Sequence, residues 1–201
     1  MMVANPQPQR MTPEEYLGWE AEQPIKHEYI EGQVYGMAGG TLPHNDIILN
    51  LYSQLRSHLR SKGCRSNVAD VKVRISPAGP YFYPDMVVSC DERDRQATDA
   101  ICYPILLIEV LSPSTAGFDR GDKFKYYRRI PTLQEYVLID AEKVGVDCYR
   151  KTSTGRWELT AYPEHAANPE NPVLDLVSVD FHCPLAFVYE AVELPQLPET
   201  L

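Results

Sequence analysis

Apolar residues recur along this 201-residue chain in two periods, one helical and one of alternate positions, with turn residues between. Thr12 and Glu15 form a capping box around Pro13, so a short helix is expected over about residues 13–22. His27-Glu28-Tyr29-Ile30 and Gln33-Val34-Tyr35-Gly36-Met37-Ala38 flank Glu31-Gly32, which reads as a tight hairpin because glycine tolerates positive φ at the turn. From His44 to Lys62 the residues Ile47, Ile48, Leu51, Tyr52, Leu55 and Leu59 share one face, and Gly63 supplies the stop, which predicts the longest helix. Strands are expected over Val68–Ile75, Tyr81–Cys90, Glu135–Asp140, Val144–Lys151 and Trp157–Tyr162. Ile105–Leu111 is nearly all apolar, as in a central strand covered on both faces. Residues 118–130 return to helical spacing before Pro131, and a last short helix is expected near 184–192. This order of elements predicts an α/β (α+β) layout around one central sheet, in a single domain spanning 12–192 with flexible ends at 1–11 and 193–201.

Composition narrows the class. Apolar residues make up 44% and charged residues 23%, which excludes disordered, collagenous and disulfide-scaffold chains. The longest apolar run, Ile101–Leu111, is broken by Pro104 and Glu109 and is too short for a membrane span, so no membrane association is expected. The first residues lack a signal-peptide pattern, and the five cysteines include no CxxC pair. They read as small core or surface thiols, and the chain reads as cytoplasmic.

Two carboxylates interrupt apolar strands: Asp85 in Tyr83-Pro84-Asp85-Met86-Val87 and Glu109 in Leu107-Ile108-Glu109-Val110-Leu111. A buried carboxylate costs several kcal/mol unless it is paired or holds a cation. Either acid alone could meet an arginine or a helix N-terminus. Both together, on neighbouring strands, point to a shared divalent cation. Projection of residues 118–130 at about 100° per residue turns Asp119, Lys123 and Tyr127 to one side and Lys125 and Arg128 to the other. Asp119 and Lys123 are an ordinary i,i+4 ion pair, but an inward lysine could also serve the acids. Two carboxylates, a lysine and a metal suit phosphodiester hydrolysis. His44 opens the long helix on its apolar face and could reach a metal, although His58 shares that face and periodicity does not choose between them.

Several motifs then occur in order: Lys26-His27-Glu28-Tyr29-Ile30-Glu31-Gly32, His44, Pro84-Asp85, Glu109-Val110-Leu111-Ser112-Pro113-Ser114, Asp119 with Lys123 and Tyr127, and Glu135-Tyr136. Together they resemble the Uma-type restriction endonuclease family of the PD-(D/E)XK nuclease superfamily, over about residues 12–192. The resemblance implies a restriction-endonuclease-like fold, a central mixed β-sheet flanked by helices, and DNA cleavage dependent on Mg²⁺ or Mn²⁺. It makes Asp85 the motif aspartate and Glu109 the second acid. It also implies a metal-ligand role for the Val110 backbone carbonyl and for His44. Glu28, Ser112, Asp119 and Tyr127 would support these groups. Leu111 stands where the superfamily pattern has lysine, so that function either has moved to Lys123 or is lost. The second case gives a degenerate module that binds nucleic acid or protein without cleaving. Cutting both strands of duplex DNA would call for a homodimer.

Net charge bears on the DNA partner. The total of −9 argues against nucleic acid, yet residues 56–74 carry a local +5 and residues 119–130 a local +3. The expectation is a positive surface next to the site on an acidic body. A metabolic α/β enzyme is disfavoured because GxGxxG, GxSxG and HExxH are all missing.

Overall fold

The structure is a computed structural model and describes residues 3–4, 10–37 and 39–195. The strand β1 (Val3–Ala4) is followed by α1 (Pro13–Glu20), closed by the expected reciprocal Thr12–Glu15 cap. The hairpin of β2 (His27–Ile30) and β3 (Gln33–Gly36) turns at Glu31-Gly32, both at positive φ. Next come α2 (Leu42–Ser61), β4 (Arg65–Val68), β5 (Lys72–Arg74), β6 (Tyr81–Phe82), β7 (Met86–Ser89), α3 (Glu92–Arg95), β8 (Ala100–Ile101) and β9 (Leu106–Leu111). A helical stretch runs through α4 (Ala116–Phe118), a π turn (Asp119–Lys123) and α5 (Phe124–Tyr127). The chain ends in β10 (Glu135–Asp140), β11 (Val146–Lys151), β12 (Trp157–Tyr162), the hairpin β13 (Val173–Leu176) and β14 (Phe181–Pro184), and α6 (Leu185–Val188).

Instead of one central sheet there are two six-stranded sheets, ordered β1-β3-β2-β6-β5-β8 and β12-β11-β10-β9-β7-β4, plus the two-stranded hairpin. The second sheet is mixed: β9 and β10 are parallel and joined through the 116–127 helical crossover, whereas β7, β11 and β12 pair antiparallel with their neighbours. Alternation along β9 explains how both its faces are buried. Leu106, Ile108 and Val110 face the core built on Ile47, Leu51, Leu55 and Leu59 of α2. Leu107 and Leu111 join the other core with Tyr127, Tyr136, Phe82 and Val73, which ties the helical crossover and the first sheet to the second.

Three expected strands or helices are interrupted or shorter. Ala69 and Asp70 adopt left-handed φ and break the 68–75 strand into β4 and β5. Pro84 cannot donate to a ladder, so the 81–90 strand divides at Tyr83-Pro84-Asp85, with β6 in the first sheet and β7 in the second. The last helix covers only Leu185–Val188. The hairpin β13–β14 and the short α3 and β8 carry too little periodicity to be read in advance. Of the ends expected to be flexible, residues 1–2, 5–9 and 196–201 lie outside the described residues, while Val3–Ala4 pair with Tyr35 and Gly36.

The cysteines need a correction. Cys64 and Cys90 form a disulfide linking the end of α2 to the end of β7, and Cys102, Cys148 and Cys183 are free. A strand-edge disulfide removes the thiol argument for a reducing compartment. Among the described residues, no helix is long and apolar enough to cross a membrane.

Leu51 lies at the centre of the α2 face and is fully buried. Leu51→Ala is expected to lower stability by about 2–5 kcal/mol, because the transfer and cavity costs add. Urea unfolding should show the midpoint falling with an unchanged slope.

Candidate active site

The break between β6 and β7 places the first acid. The last ladder pair of β7 with β9 is Met86 with Ile108, so Asp85, one residue earlier, comes opposite Glu109 at the crossing between the two sheets. The Asp85 backbone N–H points to Glu109 Oε2 at 3.4 Å. Asp85 Oδ2 accepts the Val110 backbone N–H at 2.7 Å, and Asp85 Oδ1 lies 3.0 Å from His44 Nε2. His44 is held by its helix: Thr41 caps α2, its hydroxyl accepting the His44 N–H. Burial works against the His44 imidazolium, but the hydrogen bond and charge of Asp85 outweigh it, helped by Asp119 and the Val110 backbone, so its pKa is raised. Of the two histidines on the α2 face, His44 lies beside Asp85, whereas His58 meets the Val179 carbonyl and the Phe181 ring.

Glu109 stands on the β9 face shared by Leu107 and Leu111, the face covered by the helical crossover. That covering delivers the lysine. Lys123 closes the π turn and is 5% exposed, with Nζ 2.9 Å from Glu109 Oε1, 3.1 Å from Glu28 Oε1 and 3.6 Å from Asp119 Oδ1. A π turn in a helix often marks a functional position. Leu111 lies two residues beyond Glu109 on the same side but is buried among apolar side chains, so the ammonium group comes from the facing helix.

Three buried carboxylates therefore surround one ammonium. Burial raises the pKa of Glu109 well above its ordinary value, Lys123 opposes the rise, and Asp85, Asp119 and Glu28 add to it. Glu28 and Asp119 are also raised, chiefly by burial and against the pull of Lys123. Lys123 loses hydration, yet Glu109, Glu28 and Asp119 more than compensate and hold its pKa well above the usual lysine value. Around this group, Tyr127 donates to Glu109 Oε1 at 2.9 Å, the Tyr136 hydroxyl donates to the Asp119 carbonyl at 3.1 Å, and the Tyr83 N–H reaches Glu28 Oε1 at 3.3 Å. Ser112 stands one step further out, contacting the hydroxyls of Ser114 and Thr115.

Sequence reasoning missed a second buried network that supports the first. Glu20 Oε1 accepts the Tyr83 hydroxyl at 2.9 Å and the His27 N–H at 3.0 Å, Glu20 Oε2 meets His27 Nδ1 at 3.1 Å, and the Tyr16 hydroxyl donates to the His27 carbonyl at 2.6 Å. It clamps Tyr83, two residues before Asp85, against α1 and β2. The only advance signal was the density of tyrosines, 13 in the chain, beside isolated acids.

The donor set suits a hard divalent cation. Two carboxylates adjoin, and Glu109 Oε2 has a single long contact from the Asp85 N–H. Among the described residues no group of three or more His, Cys, Asp or Glu side chains is arranged to hold a metal ion. Mg²⁺ seldom needs one, since it is usually held by one or two carboxylates with water and substrate phosphate completing the shell. Asp85, Glu109 and the Val110 carbonyl would hold it, and His44 would have to yield its bond to Asp85.

The expected basic surface next to the site holds only in part. Arg60 lies 16 residues along α2 from His44, about 24 Å at 1.5 Å per residue, so the 56–62 cluster is remote. Arg65 pairs in the ladder with Ser89, at the far end of β7, and donates to the carbonyls of Asp94 and Ala97. Lys72 lies over the Tyr83 ring, and Arg120, Lys125, Arg128 and Arg129 are exposed on the crossover, Arg120 paired with Asp147 and Lys125 with Asp122.

Mixed sheets flanked by helices, with an acid at a sheet crossing, a second acid within the adjoining strand and a lysine on the facing helix, define a restriction-endonuclease-like fold. The chain belongs to the Uma2 family, described as "putative restriction endonuclease", whose model matches residues 13–186. Two proteins of Synechocystis sp. named as uncharacterized are similar to it: one is 43% identical over 153 residues, covering 76% of this chain and 80% of its own, and the other is 38% identical over 154 residues, covering 75% and 86%. The crystal structure of a putative nuclease belonging to DUF820 from Anabaena variabilis superposes with a TM-score of 0.70 at 19% identity, over 89% of this chain and 97% of that one.

The raised carboxylates make metal-free stability depend on pH. Folded Glu28, Glu109 and Asp119 keep protons to higher pH than the unfolded chain does, so their contribution is full below the ordinary carboxylate range and is lost as pH rises through the raised values. His44 acts with the same sign, while the raised Lys123 stays charged throughout this window. In chelator, stability by urea unfolding is expected to fall as pH rises above the ordinary carboxylate range, and to fall less steeply in Glu109→Gln.

Proposed function

We propose that this chain is a nuclease that hydrolyses phosphodiester bonds of DNA with Mg²⁺ or Mn²⁺. The observation that carries the reading is the meeting of Asp85, Glu109 and Lys123, with Lys123 Nζ 2.9 Å from Glu109 although the usual lysine position is Leu111. Membership of the Uma2 family supports it.

In this reading Asp85 and Glu109, with the Val110 carbonyl, would hold the cation, and His44, once released from Asp85, would assist in binding it. A bound divalent cation would polarise the phosphate and lower the pKa of an attacking water. Lys123 orients that water and balances the charge that grows on the phosphorus oxygens. Glu28 and Asp119 keep Lys123 protonated and aimed, so it acts as an electrostatic group and not as a base. Arg120, Lys125, Arg128 and Arg129 offer the crossover face to the backbone phosphates of DNA, which confines affinity to a small area of an acidic protein. A two-fold homodimer would bring a second site to the opposite strand.

A degenerate module that binds nucleic acid or protein without cleavage is the alternative, favoured by one observation: Lys123 is already shared among three carboxylates. Nicking of supercoiled plasmid separates the two readings. Wild type with Mn²⁺ is expected to cut and EDTA to abolish cutting, while Asp85→Ala and Lys123→Ala lose on the order of 100-fold or more in rate. DNA retention without metal-dependent cutting would establish the alternative. Cutting that survives Asp85→Ala would reject the assigned site.

A further inference from the structure

The phenol of Tyr127 is a hydrogen-bond donor with no step assigned to it above, yet it is fully buried against Glu109. Its ring is locked between Phe82 and Tyr136, with centroids 5.3 Å away in each case. Its hydroxyl and Lys123 Nζ both address the same oxygen, Glu109 Oε1, each at 2.9 Å. The other oxygen, Oε2, is the one turned toward the Asp85 N–H. A glutamate carboxylate turns easily about its last torsion, whose wells are broad and two-fold, so something must choose which oxygen faces Asp85. Lys123 cannot do this alone, because it is also drawn to Glu28 and Asp119 and could follow a rotated carboxylate.

We propose that Tyr127 is a positioning residue: by occupying Glu109 Oε1 from a ring that cannot move, it keeps Oε2 presented to the Asp85 side, where a divalent cation would be held. The proposal rests on the metal-dependent nuclease reading and adds to it the group that sets the geometry of the second acid. Tyr127 touches neither cation nor phosphate. Its effect passes through Glu109, so it should be felt in cation affinity and should fade when cation is in excess.

The test is Mn²⁺ binding to the full chain without DNA, followed by electron paramagnetic resonance of the free ion, in wild type, Tyr127→Phe and Glu109→Gln. Phenylalanine keeps the ring packing and removes only the hydroxyl. Tyr127→Phe is expected to bind Mn²⁺ roughly 10–100-fold more weakly than wild type, as for other groups that orient a metal ligand. Plasmid nicking by this variant should return to near the wild-type rate at saturating Mn²⁺. Equal Mn²⁺ affinity in wild type and Tyr127→Phe, with Glu109→Gln impaired, overturns the positioning role and leaves the nuclease reading standing. Equal, negligible binding in all three chains overturns both. If Tyr127→Phe does not fold, 3-fluorotyrosine introduced at position 127 of the otherwise wild-type chain retains the hydroxyl. Its ¹⁹F resonance should then shift on addition of Mg²⁺, and an unmoved resonance at saturating Mg²⁺ rejects the proposal.

Discussion

One buried ammonium group organises this protein. Lys123 sits where the helical crossover presses against the face of β9, and it is the only cation in contact with Glu109, Glu28 and Asp119 among the described residues. Removing four charged groups from water is expensive, and a buried ion cluster is weak evidence of stability for its own sake. With three acids to one base it is also unbalanced, and Asp85 stands alongside. A chain selected only for a stable core would fill this space with leucine. A pocket with more acids than bases, in which Glu109 Oε2 has one long contact, suits the attraction of a cation, and that is the physical basis of the nuclease reading.

The layers around the cluster act to hold it in place. α2 covers the far face of β9 and brings His44 to the strand end, while its aliphatic face supplies most of that core. On the near face the aromatic ring set of Phe82, Tyr127 and Tyr136 walls the cluster from water. α1 and β2 contribute less obviously, through Glu20, His27 and Tyr83, which fasten the segment leading into Asp85. The Cys64–Cys90 bridge ties the distal end of the same unit. Charge is likewise a local property: exposed basic residues line the crossover, and those at the C-terminal end of α2 stand well away from His44 at its start.

How much of this was legible in advance follows from the range of the interactions. The capping box at Thr12, the hairpin at Glu31-Gly32, the amphipathic face of α2 and the buried character of β9 depend on neighbours a few residues apart, and all are present. The strand expected over 81–90 failed at Pro84 even though the proline was visible. Missing there was the knowledge that the chain changes sheets at that residue, which is what exposes Asp85 to Glu109. Helical projection turned Lys123 inward correctly in spite of the π turn, because an i,i+4 pair stays on one side of either helix type. Nothing local marked Glu28 as its partner, since the two residues are far apart in sequence and meet only through the packing of the first sheet on the crossover.

The sequence by itself determined the local elements, the α+β class and the two acids whose apolar surroundings made them conspicuous, because hydrophobic period and burial cost are written in adjacent residues. Tertiary structure alone decided that there are two sheets, that His44 and not His58 reaches Asp85, that Cys64 pairs with Cys90, and that Tyr127 and Lys123 meet at Glu109 while Glu28 meets Lys123. Each of these is a contact between segments distant in the chain, made by sheet register and layer packing, and no local pattern encodes the distance across which it forms.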